Sequence, residues 1–407
     1  MRALWGFSLF RSEEMDFELS NEQKDVQRAA TEFAKGEFDP DLVLELDEGE
    51  KFPDSIWRKA AHLGFIGIHY PEAYGGQGLG LFENLLVIEA FCRVDSGVGS
   101  ALSTVDLGSE ILMKFGSREQ KEQLLIPLTK GEGCLGVAFA ESEDGKDLIA
   151  LSAVAERRMN EYSLLGKKRF VLNVPLANAF LTLCKEPKEG WITLIVARQS
   201  DGIEIHPIKK MGLRMIPFGD LLFKEACVPL ASRIGEEGEG LAHLHHHHQV
   251  MALKSAAQGL GTAQGAFDRA MQHAKQRKQF GKTLSQFQVI RHKLADMAVR
   301  IEVARWLTYK AATEFDQGRV HPGSLWMAQL EAGRGLKDVV DHALQIFGGY
   351  GYTAEQAIEH YFRDAWAIGV DLGTEEEQKD GIAEILLGPD TTRPPHPAFS
   401  PLGRGGG

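Results

Sequence analysis

Residues 345–352 read QIFGGYGY, and this stretch decides the fold. It ends a segment, residues 323–346, whose apolar side chains recur at spacings of three and four, which predicts a helix. Glycines let a backbone come close to a ligand, although a glycine-rich helix end is also an ordinary structural feature. Two further stretches frame it, RKQFG at 277–281 and VDLGTEEEQ at 370–378.

The same apolar spacing runs through the C-terminal part of the chain. Segments 250–275, 285–318, 323–346 and 354–365 each carry apolar residues three and four positions apart. Such a stripe is ordinarily the core of a helical bundle rather than a cofactor contact. Residues 236–388 are therefore predicted to form a C-terminal helical domain.

The pattern is different upstream of this domain. Residues 15–133 read helical, and a capping box that begins at Ser20 marks the first helix. Residues 134–235 contain short β runs, and two short strands are expected on either side of Gly166. The sequence thus predicts a helical domain, a middle β domain and a second helical domain, in that order.

Composition excludes several classes of protein. The chain has 407 residues, 43% of them hydrophobic, which is enough for two or three domains. A formal net charge of −12 argues against a nucleic-acid partner, because phosphate backbones bind clustered Lys and Arg. No apolar run approaches the roughly 20 residues of a membrane span. Four scattered cysteines without a CxxC pair suit a reducing compartment, so we expect buried thiols and a cytoplasmic location.

Both ends of the chain are expected to be disordered. Residues 1–14 are short and mixed and lack the long apolar stretch of a signal peptide, so they are interpreted as an extension that precedes Met15. The tail at 389–407 is rich in Pro and Gly.

Together with FRDA at 362–365, the three quoted stretches resemble the acyl-CoA dehydrogenase family of flavoproteins, and the resemblance covers residues 15–388. It implies an α+β fold with an N-terminal helical domain, a middle β domain and a C-terminal four-helix bundle. It also implies FAD as cofactor and an acyl-CoA thioester as substrate, from which a base takes the α-proton while a hydride passes from the β-carbon to FAD. An electron-transfer flavoprotein is the expected acceptor, and a homo-oligomer or an assembly with a related subunit is expected.

The resemblance also implies which residues contact FAD. In the family, the stretch that matches 277–281 reaches the FAD pyrophosphate of a neighbouring subunit, and the glycine-rich turn lies against the ADP half. The implied FAD contacts are Arg277, Phe280, Gln288, Gln345, Gly348, Gly349, Thr374 and Gln378. From the residues alone, an ordinary basic helix end with a C-cap glycine is the favoured interpretation of RKQFG, and Thr374 is equally an N-cap of the last helix.

The chain departs from the family where the flavin ring and the substrate would lie. Leu372 occupies the position of the catalytic Glu in the loop Tyr-Glu-Gly-Thr-x-x-x-Gln, and an aliphatic side chain cannot accept a proton. Ala140 and Leu172 replace two threonines that face the flavin. Phe170 replaces a Trp and is expected to stack on the flavin. Lys146 replaces a Ser and is a candidate contact for substrate phosphates.

The base is therefore unassigned. A second base position used in the family, on the helix after Gly-Glu-Gly, falls near Met251. Asp106 lies in a stretch that lines the acyl pocket in the family, where a carboxylate in apolar surroundings would have a raised pKa; an N-cap or an exposed Asp is the ordinary interpretation. Asp371, one residue out of register, is a further candidate.

Five histidines at 243 and 245–248 have the spacing of helical metal ligands. No Asp, Glu or Cys lies within the run to complete a site, so no metal is predicted. A polar helix start is the ordinary interpretation.

Two hypotheses follow. The first is an FAD-dependent acyl-CoA dehydrogenase, and a variant of it is a homo-oligomer with a relocated base that acts on an unusual acyl-CoA. The second is a non-catalytic partner subunit of a heteromeric dehydrogenase. It is motivated by the contrast between retained positions that reach a neighbour's FAD, such as Arg277, and lost positions that build the chain's own flavin face, such as Leu172 and Leu372.

Overall fold

The structure, a computed structural model, describes residues 18–141, 151–188 and 190–388. Its first part is helical, as predicted. The first helix begins where the Ser20 hydroxyl accepts the Gln23 backbone N–H and the Gln23 side chain accepts the Ser20 N–H, which is the predicted capping box. The α-helices of this part are α1 (Asn21–Glu37), α2 (Pro40–Glu48), α3 (Asp54–His62), α4 (Leu81–Val94), α5 (Ser96–Ser103), α6 (Ser109–Phe115) and α7 (Arg118–Thr129).

The middle part is one mixed sheet. Its strands are β1 (Leu135–Ala138), β2 (Val154–Arg157), β3 (Glu161–Leu172), β4 (Ala179–Glu186), β5 (Gly190–Ala197), β6 (Ile203–Pro207), β7 (Phe218–Pro229) and β8 (Arg233–Ile234). They lie in the order β6-β7-β3-β2-β4-β5-β8, and β1 pairs with β4. The expectation of two short strands around Gly166 was wrong, because β3 continues through this residue. Gly166 stands at φ +145°, where the pairing of β3 with β7 shifts register.

The last part is a bundle of long helices. These are α8 (Gly240–Gln276), α9 (Gln288–Asp316), α10 (Pro322–Phe347), α11 (Ile358–Leu372) and α12 (Glu375–Leu387). Helix α8 packs against α9, α10 and α11 and also against α4, while α12 packs on α10. Buried alanines and glycines of α8 allow its neighbours to approach closely. A Cβ added to Gly261 would stand only 2.4 Å from the carbonyl oxygen of Glu89 on α4.

A short hairpin separates α8 from α9. Strands β9 (Lys278–Gln279) and β10 (Lys282–Thr283) pair around Phe280 and Gly281, which both have positive φ, as two-residue hairpin turns require. The alternative interpretation of RKQFG as a helix end with a C-cap glycine was therefore wrong in detail. Arg277 itself is the C-cap of α8, and Gly281 belongs to the hairpin.

Two further expectations from composition can be compared with the structure. Cys92, Cys134 and Cys184 are buried free thiols as expected, but Cys227 is exposed. Within the described ranges, no helix is both long and apolar enough to cross a membrane.

Candidate functional site

An open groove brings together the stretch RKQFG at 277–281 and the glycine-rich stretch QIFGGYGY at 345–352. It has a volume of about 550 Å³ and lies between the end of α8, the hairpin and the turn after α10. Arg277, Gly348 and Gly349 are among the residues that line it. The guanidinium of Arg277 stands 5.1 Å from the ring centre of Tyr350, within cation–π range. The groove thus combines one cation with a glycine backbone, which are the groups that bind phosphates.

Three other predicted cofactor residues lie near this groove without lining it. Phe280 is 92% exposed at the tip of the hairpin, and its backbone is in the left-handed region at φ +50°. Gln288 is exposed at the first position of α9, and Gln345 is exposed on the last turn of α10. A bulky residue at positive φ is strained, and such strain is often found at binding sites.

The loop that carries the missing carboxylate lies between α11 and α12. Leu372 is the last residue of α11, and Asp371 beside it is exposed. The Thr374 hydroxyl accepts the Glu377 backbone N–H, and the Glu377 carboxylate accepts the Thr374 N–H, so Thr374 is the N-cap of α12. Gln378 is buried one turn into this helix.

The middle domain presents Phe170 in an unusual conformation. Its backbone stands at φ +57° within an irregularity of the β3–β7 pairing. The ring lies almost parallel to that of Phe218, with 6.0 Å between centres, and the Arg169 guanidinium stands 4.6 Å from its centre. Phe170 therefore lies on a side of the sheet that already has aromatic and cationic neighbours.

A buried ion pair between Lys168 and Glu141 fixes the segment around Ala140, where the family has a threonine that faces the flavin. Lys168 of β3 donates to the Glu141 carboxylate over 2.5 Å and to the Phe139 carbonyl over 3.2 Å. Glu141 also accepts the backbone N–H of Ala153. Burial lowers the pKa of Lys168, and the carboxylate partly offsets this. Ala140 lies between the two anchored residues.

Lys146, the predicted substrate contact, lies outside the described residues.

Asp106 is buried, but its surroundings are not those predicted. It lies between α5 and α6, where Lys254 of α8 donates to Oδ1 over 2.6 Å and the Tyr70 hydroxyl donates to Oδ2 over 3.2 Å. Burial by itself raises the pKa of this carboxyl, but Lys254 and His69 outweigh burial and hold the pKa below its ordinary value. The expected raised pKa was therefore wrong.

The space beside Asp106 is small. A cavity of about 10 Å³, room for about one water molecule, lies between α4, α8 and the residues before Asp106. Asn84 lines it, and its amide nitrogen is enclosed without a hydrogen-bond partner. Asp106 thus belongs to a tightly packed polar network.

One face of α8 carries a row of buried polar side chains that connects the domains. The contacts in this row are His243 Nδ1 to Thr193 Oγ1 at 3.0 Å, His247 Nδ1 to Glu110 Oε1 at 2.6 Å, Lys254 Nζ to Asp106 Oδ1 at 2.6 Å and Gln258 Nε2 to Ser103 Oγ at 2.6 Å. Sequence reasoning missed Lys254, Glu110 and the role of His247. The only signal was that these polar residues recur on one face of an otherwise apolar helix.

The histidine run is structural on its inner face and does not form a metal site. Among the residues that the structure describes, no three His, Cys, Asp or Glu side chains are placed to hold a metal ion. His246 stacks on Phe315 with 6.0 Å between ring centres, and burial lowers the pKa of His243 and of His246 to about 4. The ordinary interpretation as a solvated helix start was wrong for His243 and His247, which are buried.

Comparison with known proteins decides the family. The acyl-CoA dehydrogenase N-terminal, middle and C-terminal domain models match residues 20–132, 136–226 and 238–387. The chain belongs to the acyl-CoA dehydrogenase family. The predicted fold class is thereby confirmed, and members of this family are flavoproteins.

Individual relatives match over nearly their whole length. The short-chain specific acyl-CoA dehydrogenase of Clostridium acetobutylicum is 34% identical, over 90% of this chain and 98% of the relative. The caffeyl-CoA reductase–Etf complex subunit CarC of Acetobacterium woodii is 33% identical, over 90% and 99%. The solved butyryl-CoA dehydrogenase of Megasphaera elsdenii has a TM-score of 0.87 and 31% identity, over 92% of this chain and 100% of that chain.

These relatives bear on the two function hypotheses. They are oxidoreductases that act on the CH–CH bond of acyl-CoA thioesters, as dehydrogenases or reductases, which confirms the predicted activity class. The alternative of a non-catalytic partner subunit is not favoured by them.

Proposed function

We propose that this chain binds FAD and catalyses the α,β-oxidoreduction of an acyl-CoA thioester, with the diphosphate and adenosine half of FAD in the groove beside Arg277. The observation that supports this most is the convergence of distant stretches on one open groove. A Cβ built on Gly348 or Gly349 would meet nothing within 4 Å, so the backbone there is open to a ligand. A cation beside an open glycine backbone fits an anionic dinucleotide.

When bound, FAD supplies the acceptor for the hydride that leaves the substrate β-carbon. The chain's own residues bind and orient. Arg277 would hold a phosphate, and the pair of Lys168 and Glu141 would keep Ala140 in place beside the flavin. Phe170 would offer its ring as one wall of the flavin site. Thr374 and Gln378 are proposed to lie near the cofactor, and Lys146 near substrate phosphates, as the family resemblance implies.

We further propose that the groove is completed by a second copy of this chain or by a related subunit. Phe280 is exposed on a strained hairpin tip near the groove, which supports a contact with a neighbouring molecule. Gln288 and Gln345, also exposed, belong to the same surface. An electron-transfer flavoprotein is the proposed redox partner, because CarC is named as a subunit of an Etf complex. A cytoplasmic location is consistent with three buried free thiols.

The experiment is FAD retention by an Arg277→Ala variant. Loss of charge-assisted hydrogen bonds to a phosphate removes about 1.5–3 kcal/mol, which is roughly a 10- to 150-fold rise in the FAD dissociation constant. Retention is measured from flavin absorbance after dialysis, with Arg28→Ala as the matched control, since Arg28 is exposed and pairs only locally with Asp25. Equal retention by both variants would show that Arg277 does not hold the cofactor.

A further inference from the structure

A second acid–base pair lies on α8, besides the pair of Asp106 and Lys254. The Nδ1 atom of His247 stands 2.6 Å from the Glu110 carboxylate, and both side chains are buried. Burial by itself raises the pKa of Glu110, but His247 and then Lys254 outweigh it and hold this pKa below its ordinary value. An ionised Glu110 fixes the imidazole tautomer that carries its proton on Nδ1, which leaves the lone pair on Nε2.

The Nε2 atom of His247 is available for a further contact. It makes no hydrogen bond to any described residue, and it is not among the enclosed unpartnered nitrogens, which include Nε2 of His243. A carboxylate that orients an imidazole with a free, reachable nitrogen is the arrangement that general bases use.

The position of His247 links this dyad to the proposed flavin site. Its ring centre is 5.4 Å from that of Phe139, which immediately precedes Ala140. Met251, which stands at the second base position of the family, follows His247 by four residues on α8 and so lies on the same helix face, one turn away. The imidazole is thus on the side of α8 that faces the end of β1.

The competing carboxylates are less suited to take a proton from carbon. Asp106 accepts hydrogen bonds from Lys254 and Tyr70, and its pKa is lowered. Asp371 is exposed to solvent. Both oxygens of Asp106 thus already accept a hydrogen bond, whereas the His247 ring keeps Nε2 without one to a described residue.

We propose that His247 is the base that removes the α-proton of the acyl thioester, and that Glu110 is its positioning residue. This inference rests on the proposed function. The α C–H bond breaks, its electron pair forms the C=C bond, and the proton goes to Nε2. FAD, held beside Arg277, would supply the acceptor for the hydride that leaves the β-carbon, so that the substrate loses two hydrogens and the electron count balances. The resulting imidazolium is stabilised by the adjacent Glu110 carboxylate.

The test measures exchange of the α-hydrogens of butyryl-CoA, octanoyl-CoA and glutaryl-CoA with D₂O, followed by mass spectrometry. This readout needs proton removal but no net redox turnover. We expect His247→Gln to slow the exchange at least about 100-fold, the lower range of general-base contributions. The neighbouring His246→Gln, whose ring stacks on Phe315, is the matched control and should exchange at the parent rate.

Glu110 is tested by Glu110→Gln, which keeps a hydrogen-bond acceptor but removes the charge. We expect a lower maximal exchange rate at an unchanged half-saturating acyl-CoA concentration, as expected of a residue that acts through His247. Because a lone Gln at 247 leaves Glu110 buried and unpaired, the double variant His247→Gln/Glu110→Gln is the folding control. Its thermal unfolding should match the parent while its exchange stays slow.

Several outcomes would overturn the proposal. These are parent-like exchange in His247→Gln, no exchange of any of the three thioesters by the parent, or ring ¹⁵N shifts that place the neutral proton of His247 on Nε2. Failure of the proposed function is distinguishable, because it would appear as loss of FAD binding or of flavin reduction while the His247-dependent exchange persists.

Discussion

The most direct perturbation of the α8 row is Lys254→Met. Lys254 is 3% exposed and ends on Asp106 at 2.6 Å, and the Tyr70 hydroxyl is the other hydrogen-bond donor to that carboxylate. Met has a similar length and apolar volume, so the variant leaves an uncompensated buried carboxylate rather than a large cavity. Breaking a buried pair in this way costs about 3–5 kcal/mol.

The assay is the free energy of unfolding from urea denaturation at pH 7. The double variant Lys254→Met/Asp106→Leu is the control, because replacing both charges by apolar groups is commonly neutral or stabilising by about 1–4 kcal/mol. The single variant should therefore be the less stable of the two. Equal stability of the parent and Lys254→Met would refute the conclusion that Lys254 holds Asp106 ionised.

The same pair gives a pH dependence with a definite sign. The pKa of Asp106 is lower in the folded state than in the unfolded state, where it is about 3.9. The contribution of Asp106 to the free energy of unfolding is therefore present above about pH 3.9 and is lost as the pH falls through the folded-state pKa. The stability difference between the parent and the double variant should thus change below about pH 4 and stay constant between pH 5 and 7. A difference that instead changes near pH 6–7 would point to a histidine.

Three further predictions concern other sites. Thr374→Ala should lower stability by about 1 kcal/mol, because it removes the N-cap of α12. Thermal unfolding checks this, with Thr313→Ala as the control, since the Thr313 hydroxyl lies inside α9 and donates to the Tyr309 carbonyl of the same helix. His360 contacts Asp47, Asp95 and Asp364, and although burial lowers its pKa, these carboxylates raise it well above the ordinary value. The contribution of His360 to the free energy of unfolding should be complete below about pH 6.5 and lost as the pH rises through its folded-state pKa. If His360→Gln left the pH dependence of stability unchanged, this prediction would be contradicted. Leu372→Glu, made in the His247→Gln background, should restore α-hydrogen exchange, because it returns a carboxylate to the family position; no recovery would show that position 372 does not face the substrate.

The parts of the fold that the sequence predicted well are those with local causes. The helical domains follow from apolar spacing, and the first helix begins at the capping box of Ser20 and Gln23, three residues apart. The convergence of Arg277 with Gly348 was expected from the family resemblance alone, since nothing local connects residues 71 positions apart. The hairpin at Phe280 was missed, because an aromatic residue is a rare choice for positive φ and gives no turn signal.

The candidate site was harder to predict because its charges are paired over long distances in the chain. Asp106 and Lys254 are 148 residues apart, and Glu110 and His247 are 137 apart. Without its partners, a carboxylate in an apolar stretch is expected to have a raised pKa, and the opposite result for Asp106 comes from Lys254 on α8 together with His69 and Tyr70 of the N-terminal part. The sign of a pKa shift is therefore a property of the tertiary structure.

These two pairs also bear on how the chain tolerates a leucine at position 372. A carboxylate base must be ionised and must face the α-carbon, but it need not come from the loop between α11 and α12. Helix α8 packs against α4, α5, α6 and α11 and against β4 and β5, so it contacts both the N-terminal helices and the middle sheet. On that face, Lys254 donates to the Asp106 carboxylate, and the Glu110 carboxylate lies 2.6 Å from Nδ1 of His247, whose Nε2 makes no hydrogen bond to a described residue. Both oxygens of Asp106 accept hydrogen bonds, whereas one ring nitrogen of His247 accepts none from a described residue, and this difference supports His247 rather than Asp106 as the proposed base.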